Sequence, residues 1–454
     1  MKTPNSRFLW WFFTFSIACA ACTKKSDLEK IPDSSLRTLN SIEDAQALLD
    51  YTVVMRETPS LIEISADDFY LSSDSTIDPV EVDAYLWNRE IEGNALTEDW
   101  FQPYQQVYYA NSVLASLEKL REKSTREQLD AIKGAALFIR SYAFYNVALE
   151  FAELYGGNAD TDRGVPLRQD PDPETSATRA SVKETYELIL KNVKEAAGML
   201  PQQVDPNRKN RPTAPAALAL LARIYLSMGD WTNAQLYADS CLKRYSKLMD
   251  YKSLIPTSVN PFSPNNEEVL YQTNLRSTTN LFNSSSFFVD SILYASFSDK
   301  DLRKSLFFTS GNSGSPAPQY SYSGDLIKFS GLAIDEVFLI RAECNARMGY
   351  KDEALTDIKT LLQKRWNGAY VLPSLSSQAE VLNFVLKERR KELVFRGLRW
   401  IDIRRLNKID PAIALKRLWF GQEHTLPAED KRYVLPIPSE VIQKNTSITQ
   451  NQRY

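Results

Sequence analysis

Two segments of the chain repeat one pattern of small residues at an offset of 120 positions. Leu221–Ala234 and Arg341–Ala354 each place Ala second, Met-Gly eighth and ninth, and Ala last. Alanine lets two helices approach closely, and glycine can take the left-handed backbone that ends a helix. The pattern therefore predicts two helical hairpins and, with them, a mostly α-helical fold.

The spacing of this pattern is that of the tetratricopeptide repeat, in which two helices meet at a glycine turn. Any pair of helical hairpins is the alternative, but the shared Met-Gly spacing favours the repeat. Two copies separated by long insertions do not make a regular solenoid. We expect residues 98–154 to form a third, degenerate helix pair.

Apolar residues at three- and four-residue steps define a helical scaffold with two interruptions. Two segments, about 61–97 and 251–333, lose this period and are rich in Ser, Asp, Asn and aromatic residues, so they are interpreted as loop-rich insertions, with room for a short hairpin in the second. Loops that long are usually functional or disordered. The scaffold covers about 41–60, 98–250 and 334–400, with helices expected at 98–120, 125–154, 181–199, 213–228, 231–245, 334–348, 351–365 and 377–397, and the tail 401–454 is expected to be irregular.

The N-terminus has the layout of a secretory signal. Lys2 and Arg7 precede an apolar run at 8–18, and small residues follow it up to Cys22. The apolar run is too short to span a bilayer. A cysteine in this position resembles the lipobox of bacterial lipoproteins, where the thiol is acylated and becomes the new N-terminus.

We therefore expect a signal peptide at 1–21, a lipidated flexible tether at 22–40 and a single domain at 41–454. The chain would be anchored to the membrane through lipid on Cys22. An ordinary secretory signal is the alternative, and Cys19 is the second possible lipid acceptor.

Composition argues against several functional classes. The net charge is −3 with the signal and −5 without Lys2 and Arg7, so no basic field favours nucleic acid. One histidine, His424, disfavours zinc sites and His-dependent catalysis. Cys241 and Cys344 lie on apolar-periodic segments and are expected to be buried free thiols. We expect no metal, no cofactor and no catalytic residues.

Several segments, in this order, resemble one known family. They are WFQPYQQVYYAN at 100–111, ALFIRSYAFYNVALEFAELYGG within 133–157, RPTAPAALALLARIYLSMGDWTNA at 211–234, ERRKELVFRGLRWIDIRRL at 388–406, YVLPIP at 433–438 and the tail TQNQ at 449–452. Together they resemble the SusD/RagB-like outer-membrane lipoproteins of Bacteroidetes across nearly the whole mature chain.

The resemblance implies a tetratricopeptide-like scaffold with a less regular subdomain as the ligand face. It implies a non-catalytic protein that binds a glycan or another nutrient. It also implies a partner, a SusC-like TonB-dependent transporter, and a lipid-anchored position at the outer membrane facing the cell exterior.

The segment 388–406 can also be interpreted from its residues alone. Six arginines alternate with apolar residues, and Glu388 and Glu392 share the segment. A nucleic-acid helix is disfavoured by these acids and by secretion, so we expect the guanidinium groups to pair with carboxylates and carbonyls between helices. The two prolines of Leu435–Pro438 predict an extended strap.

Sugars are bound by aromatic rings that stack on their C–H faces and by polar groups that bind their hydroxyls. Two irregular segments, 82–95 and 280–323, combine these residue types. Trp87 is expected to be an exposed stacking ring, and Trp100 a core residue. The candidate ligand residues are Tyr85, Trp87, Asn88, Arg89 and Asn94 in the first segment, and Asn283, Phe287, Phe288, Tyr320 and Tyr322 in the second.

Three alternatives remain beside glycan binding. A glycosidase would need two carboxylates in a cleft. A tetratricopeptide scaffold would grip proteins with its hairpins, although the long aromatic insertions argue against it. A binder of peptides rather than glycans fits the same composition.

Replacing the proposed lipid acceptor tests the anchor. We expect Cys22→Ala to block lipid labelling and release the protein from membranes, because a lipid chain is its expected tether. Labelling and membrane fractionation of the full chain would show this. A variant that still labels and stays bound would exclude Cys22 and make Cys19 the acceptor.

Overall fold

The hairpins expected from the two repeats lie within a larger array of helices. The structure, a computed structural model, describes residues 39–454 apart from 73–76, 173–174, 259, 264, 277–280, 282–284, 312–313, 320, 323 and 325–326. The expected signal peptide, Cys22 and most of the expected tether lie outside these residues. The helices are α1 Ile42–Leu49, α2 Thr52–Met55, α3 Leu61–Ser65, α4 Pro79–Tyr85, α5 Asn94–Leu120, α6 Arg126–Phe151, α7 Val182–Met199, α8 Ala214–Met228, α9 Trp231–Arg244, α10 Ser291–Ala295, α11 Leu302–Phe307, α12 Ile334–Arg347, α13 Lys351–Gln363, α14 Gln378–Glu392, α15 Arg399–Asn407 and α16 Ser439–Lys444.

Both repeats are helical hairpins, as predicted. Gly229 ends α8 with φ +76°, and Gly349 lies at the turn from α12 to α13 with φ +89°. Ala222 and Ala342 are fully buried where the helices of each hairpin meet. The left-handed turn and the close approach therefore use the residues that the pattern singled out.

The long helices pack in sequence. Helix α5 packs on α6, α6 on α7, α7 on α8 and α8 on α9, and α9 then contacts α12, which packs on α13 and α14. The third helix pair is thus confirmed as α5 and α6. The expected start at Ser41 is also confirmed, since its hydroxyl accepts a hydrogen bond from Asp44 N at 3.1 Å in a capping box.

The strands are short and form two-stranded ladders. They are β1 Glu57–Thr58, β2 Phe69–Leu71, β3 Arg163–Pro166, β4 Arg179–Ser181, β5 Val269–Tyr271, β6 Asn274–Leu275, β7 Phe287–Val289, β8 Phe308–Ser310, β9 Pro316–Pro318, β10 Leu332–Ala333, β11 Leu415–Trp419 and β12 Gln422–Leu426. β1 pairs with β6 in parallel, and β2 with β7, β3 with β4, β5 with β10, β8 with β9 and β11 with β12 are antiparallel. The first insertion therefore joins the second through β2–β7, and the scaffold segment before it joins the second insertion through β1–β6.

Two expectations of irregular structure are wrong in part. Residues 61–97 contain α3 and α4, and the tail contains α15 and the β11–β12 hairpin. All five residues of α3 are buried, so the helix lacks the polar face that makes a period visible. In α15 the buried positions include arginines, so the apolar period that would have predicted a helix is interrupted.

The arginines of 388–406 hold the helices together, as expected. Arg390 and Arg399 pair with Asp68 and Asp67 of the first insertion at 2.8 and 2.6 Å. The others bind the scaffold: Arg389 binds Asp402, Arg396 binds Asp335, Arg404 donates to the carbonyls of Leu149 and Ala152, and Arg405 binds Glu343. The segment is a structural junction.

Other expectations for single residues are confirmed. Cys241 and Cys344 are buried and unpaired. Leu435–Pro438 is extended and buried, and Leu435 N donates to Glu150 O at 3.0 Å. Trp100 is 3% exposed and packs edge-on against Phe151.

The turn glycine of the second repeat should be sensitive to replacement. A Cβ added at Gly349 would have no other atom within 4 Å, so steric contact does not disfavour a larger residue there. Only the left-handed backbone conformation does. We expect Gly349→Val to lower the free energy of unfolding by roughly 1–3 kcal/mol. Gly198→Ala in α7, which is also open, is the control and should leave stability unchanged or raised. An unchanged unfolding curve for Gly349→Val would contradict the assigned turn.

A buried glutamate lies where α3 meets the 388–406 segment. Glu63 is fully buried, and its Oε2 accepts a hydrogen bond from Gly397 N at 2.6 Å. Burial, and to a smaller extent the nearby Asp68, raises the pKa of Glu63 to about 8. Burial also lowers the pKa of its neighbour Lys328 to about 8. Below that pH the lysine is charged in both the folded and the unfolded chain.

This arrangement predicts how stability changes with pH. A carboxyl group with a higher pKa in the folded state makes its full contribution to stability below its unfolded pKa of about 4.3. This contribution is lost as the pH rises towards 8. We expect the free energy of unfolding of Glu63→Gln to fall less than that of the wild type between pH 5 and 8, by up to about 1.4 kcal/mol per pH unit. Denaturant titrations would measure this, with the exposed Glu127→Gln as control. Parallel pH profiles for Glu63→Gln and the wild type would contradict it.

Candidate ligand-binding surface

The first predicted ligand segment lies largely inside the protein. Tyr85 and Trp87 are 1% and 2% exposed. The Arg417 guanidinium lies 3.6 Å from the ring centroid of Tyr85 and 4.4 Å from that of Trp87, and Trp87 Nε1 donates to Ser65 O at 2.9 Å. The prediction that Trp87 is an exposed stacking ring is therefore wrong. Its burial depends on a strand more than 300 residues further along the chain.

The polar residues of that segment have partners within the chain. Asn88 Nδ2 donates to Asp83 Oδ1 at 2.6 Å, and Asn94, the first residue of α5, donates to Glu98 Oε1 at 2.9 Å. Arg89 is exposed and lies over the ring of Tyr454 at 5.0 Å. The structure does not bring these three side chains to one groove with Tyr85 and Trp87.

The second predicted segment divides into core and surface. Phe287 is 1% exposed and stacks on Phe69 at 4.2 Å. Tyr322 is 6% exposed, and its hydroxyl donates to Glu268 Oε2. Both are core residues, contrary to the expectation that they face a ligand. Asn283 and Tyr320 lie outside the described residues.

Phe288 packs against the exposed ring of Tyr70, a residue that the sequence analysis did not select. It is opposite Tyr70 in the β2–β7 ladder, and the two rings stack at 5.4 Å with 26° between their planes. Tyr70 is 39% exposed, whereas Phe69 and Leu71 on either side of it are buried. The alternation of buried and exposed side chains over Phe69, Tyr70 and Leu71 is the pattern of a β-strand. Three residues are too few for this pattern to be recognised in a segment that otherwise has no regular period.

A groove close to Phe288 supplies polar groups. The loop groove, as we call it, has a volume of about 540 Å³. Ser310 lines the groove, and the next residue, Gly311, lies against the Phe288 ring. An ideal Cβ built on Gly311 would be 3.4 Å from that ring. The loop groove is lined by Pro256, Thr257, Tyr294, Asp299, Asp301, Leu302, Lys304, Ser305, Phe308, Thr309, Ser310 and Gln319.

Two aromatic rings and one ion pair organise the loop groove. Tyr294 packs edge-on against Phe308 at 5.6 Å, and Lys304 Nζ lies 5.3 Å from the Tyr294 ring centroid. Lys304 binds Asp299 at 2.7 Å, and this hydrogen bond lowers the pKa of Asp299 and raises that of Lys304. Both groups are therefore charged at neutral pH. Hydroxyls, charges and an amide thus surround an apolar wall, which is the chemistry that binds sugars.

The second carboxylate of the loop groove belongs to a buried ion network. Both oxygens of Asp301 accept hydrogen bonds from Arg303, at 2.9 and 2.7 Å, and both residues are buried. Arg303 also binds Glu388 and Glu392 of α14. The network fixes one side of the groove to the helical scaffold.

Two family models match the chain. The model described as "Starch-binding associating with outer membrane" matches residues 28–226, and the model described as "SusD family" matches residues 332–454. The segment 227–331, which holds the loop groove, lies between the two matched ranges.

Known proteins agree with these matches. A SusD-like protein P2 from Formosa agariphila is 23% identical over 419 residues, which cover 78% of this chain and 79% of the relative. A SusD superfamily protein from Bacteroides thetaiotaomicron has a TM-score of 0.74 and 22% identity, with 91% of this chain and 100% of that chain covered. A SusD-like carbohydrate binding protein from Bacteroides vulgatus has a TM-score of 0.69 and 20% identity, with 90% and 97% covered. At these identities the solved structures establish the fold.

In the part of the chain that the structure describes, no helix is both long and apolar enough to cross a membrane.

Proposed function

This chain belongs to the SusD family, and we propose that it is a non-catalytic, lipid-anchored protein of the outer membrane that captures an oligosaccharide and delivers it to a SusC-like TonB-dependent transporter. The observation that carries the proposal is the exposed ring of Tyr70, stacked on Phe288, whose own ring lies close to the edge of the loop groove at Gly311. An exposed ring suits the C–H face of a pyranose, and hydroxyls, an amide and charges suit its hydroxyl groups. The family description that names starch binding and the carbohydrate binding protein from Bacteroides vulgatus support the same proposal.

Binding without catalysis is supported by the state of the groove carboxylates. A glycosidase needs one carboxyl group as acid and another as base or nucleophile. Asp301 gives both oxygens to Arg303, whereas the Asp299 side chain is 97% exposed and paired with Lys304. Incubation with glycans should therefore release no shortened products, and their appearance would contradict this part of the proposal.

The hairpins are better suited to a scaffold than to gripping a protein. Residues 214–227 of α8 are all buried, and in α12 every residue except Arg341 and Arg347 is buried. A tetratricopeptide groove that binds peptides presents the inner faces of its helices to solvent, and here neighbouring helices cover these faces. The loop-rich insertions are left as the ligand face.

Replacing the exposed ring tests the binding site. We expect Tyr70→Ala to weaken binding of a neutral oligosaccharide by about 1–3 kcal/mol, roughly five- to 150-fold, because a stacking ring is lost. Calorimetry against a panel of neutral oligosaccharides that includes maltoheptaose would first identify a bound member and then compare the variants. Stability should stay near that of the wild type, since Tyr70 is exposed.

Two variants serve as controls for this experiment. Tyr350→Ala removes another exposed ring, at the turn of the second repeat, and should bind normally. Phe69→Ala empties the core face of the same strand and should lower stability by about 3–5 kcal/mol. Wild-type affinity in a folded Tyr70→Ala variant would show that this surface is not the site.

Delivery is tested separately from binding. The tagged full chain, extracted from outer membranes in mild detergent, should co-purify with a TonB-dependent barrel, and Tyr70→Ala should not change this. Extraction of the chain without a barrel would contradict the proposed partner and leave the binding result standing.

A further inference from the structure

A second groove lies away from the loop-rich insertions. This helix groove lies between α5, α16 and the described loop residues 167–172 and 175–177, and has a volume of about 420 Å³. That volume is within the range of small-molecule sites, roughly 300–1,000 Å³. The residues used below are Phe101, Tyr104, Arg168, Ser176, Lys444 and Asn445, all of which line it.

One wall of the helix groove is aromatic and firmly held. Trp100 packs against Tyr104 at 5.2 Å, and the Tyr104 hydroxyl donates to Pro166 O at 2.9 Å. Phe101, beside them, is 39% exposed. The scaffold thus presents a phenylalanine ring to solvent on a rigid helix, as a stacking site requires.

The charges of the helix groove are positive. Lys444 Nζ lies 5.7 Å from the Phe101 ring centroid, and among the described residues no carboxylate oxygen lies within 4 Å of it. Arg168 NH2 donates to the carbonyls of Asp172 and Thr175 at 3.0 Å, which holds the loop against the groove. The described lining residues include no aspartate or glutamate.

Neutral polar groups complete the rim. Ser176 is exposed, and Asn445 Nδ2 donates to Ala177 O at 3.1 Å, which joins α16 to the loop. In the loop groove, by contrast, Asp299 is paired with Lys304 and Asp301 with Arg303, so its charges are compensated. The two grooves therefore differ in charge and suit different ligands.

We infer that the helix groove is a second saccharide site, which takes a sugar unit with an anionic substituent, its ring stacked on Phe101 and its carboxylate or sulfate beside Lys444. The inference rests on the proposed function, because it assumes that the ligands are saccharides. Uronates and sulfate esters share this chemistry. The positive lining favours either over a neutral sugar.

The test uses the full chain and three probes: trigalacturonate, a κ-carrageenan tetrasaccharide and the neutral galactotriose. We expect calorimetry to show binding of at least one of the two anionic probes, and at least tenfold weaker or no binding of galactotriose at this groove. Lys444→Ala and Phe101→Ala should each weaken the anionic probe about tenfold or more, the former because a charge-assisted contact is lost. Affinity should also fall with added salt.

Matched variants separate the possible outcomes. Lys359→Ala removes an exposed lysine of α13 and should change nothing, and Tyr70→Ala should weaken the neutral ligand of the loop groove while sparing the anionic probe. Anionic probes that bind equally to the wild type, Lys444→Ala and Phe101→Ala would overturn the inference but not the proposed function. No binding of either anionic probe would also overturn the inference. If Lys444→Ala lost co-purification with the barrel but bound saccharides as the wild type does, the groove would be a protein-binding site, and the inference would be overturned as well. Failure of every saccharide, neutral or anionic, would overturn the proposed function as well.

Discussion

The buried ion network around Arg303 and Arg365 joins the second loop-rich insertion to the helices. Both guanidinium groups are fully buried, and both bind Glu392 of α14, at 3.0 and 2.7 Å. Arg303 reaches Asp301, and Arg365 reaches Glu268 beside β5. Removing one partner of a buried ion pair typically costs about 3–5 kcal/mol, because it leaves an uncompensated charge inside the protein. The network therefore sets the position of the insertion more than it adds net stability.

This constraint explains how an irregular segment can form a binding surface. The insertion has only short strands and helices, and its backbone alone would not hold a groove in one shape. Asp301 is tied to α14 through Arg303, and Glu268, which holds the Tyr322 hydroxyl, is tied to α14 through Arg365, so the second insertion is attached to the scaffold at two points. A groove that is already ordered loses less entropy when it binds a ligand.

The arginines of 388–406 extend the same principle to the rest of the domain. Arg390 and Arg399 hold the first insertion through Asp68 and Asp67, and Arg405 holds α12 through Glu343. With the scaffold so tied together, the two grooves lie on separate parts of one framework and differ mainly in charge. Any difference in what they bind then follows from a few side chains, such as Asp299 and Lys444, rather than from a change of fold.

The sequence by itself determined the long helices, the two glycine turns and the structural role of the arginine-rich segment. These depend on periods of three and four residues, on the left-handed backbone at Gly229 and Gly349, and on the local mixture of arginine and glutamate. It did not reveal α3 or α15, whose buried polar residues remove the amphipathic contrast. Which aromatic rings face solvent was decided only by the tertiary structure. Trp87 is covered by Arg417 and Ser65, while Tyr70 is left exposed on Phe288, because exposure depends on contacts between residues far apart in the chain.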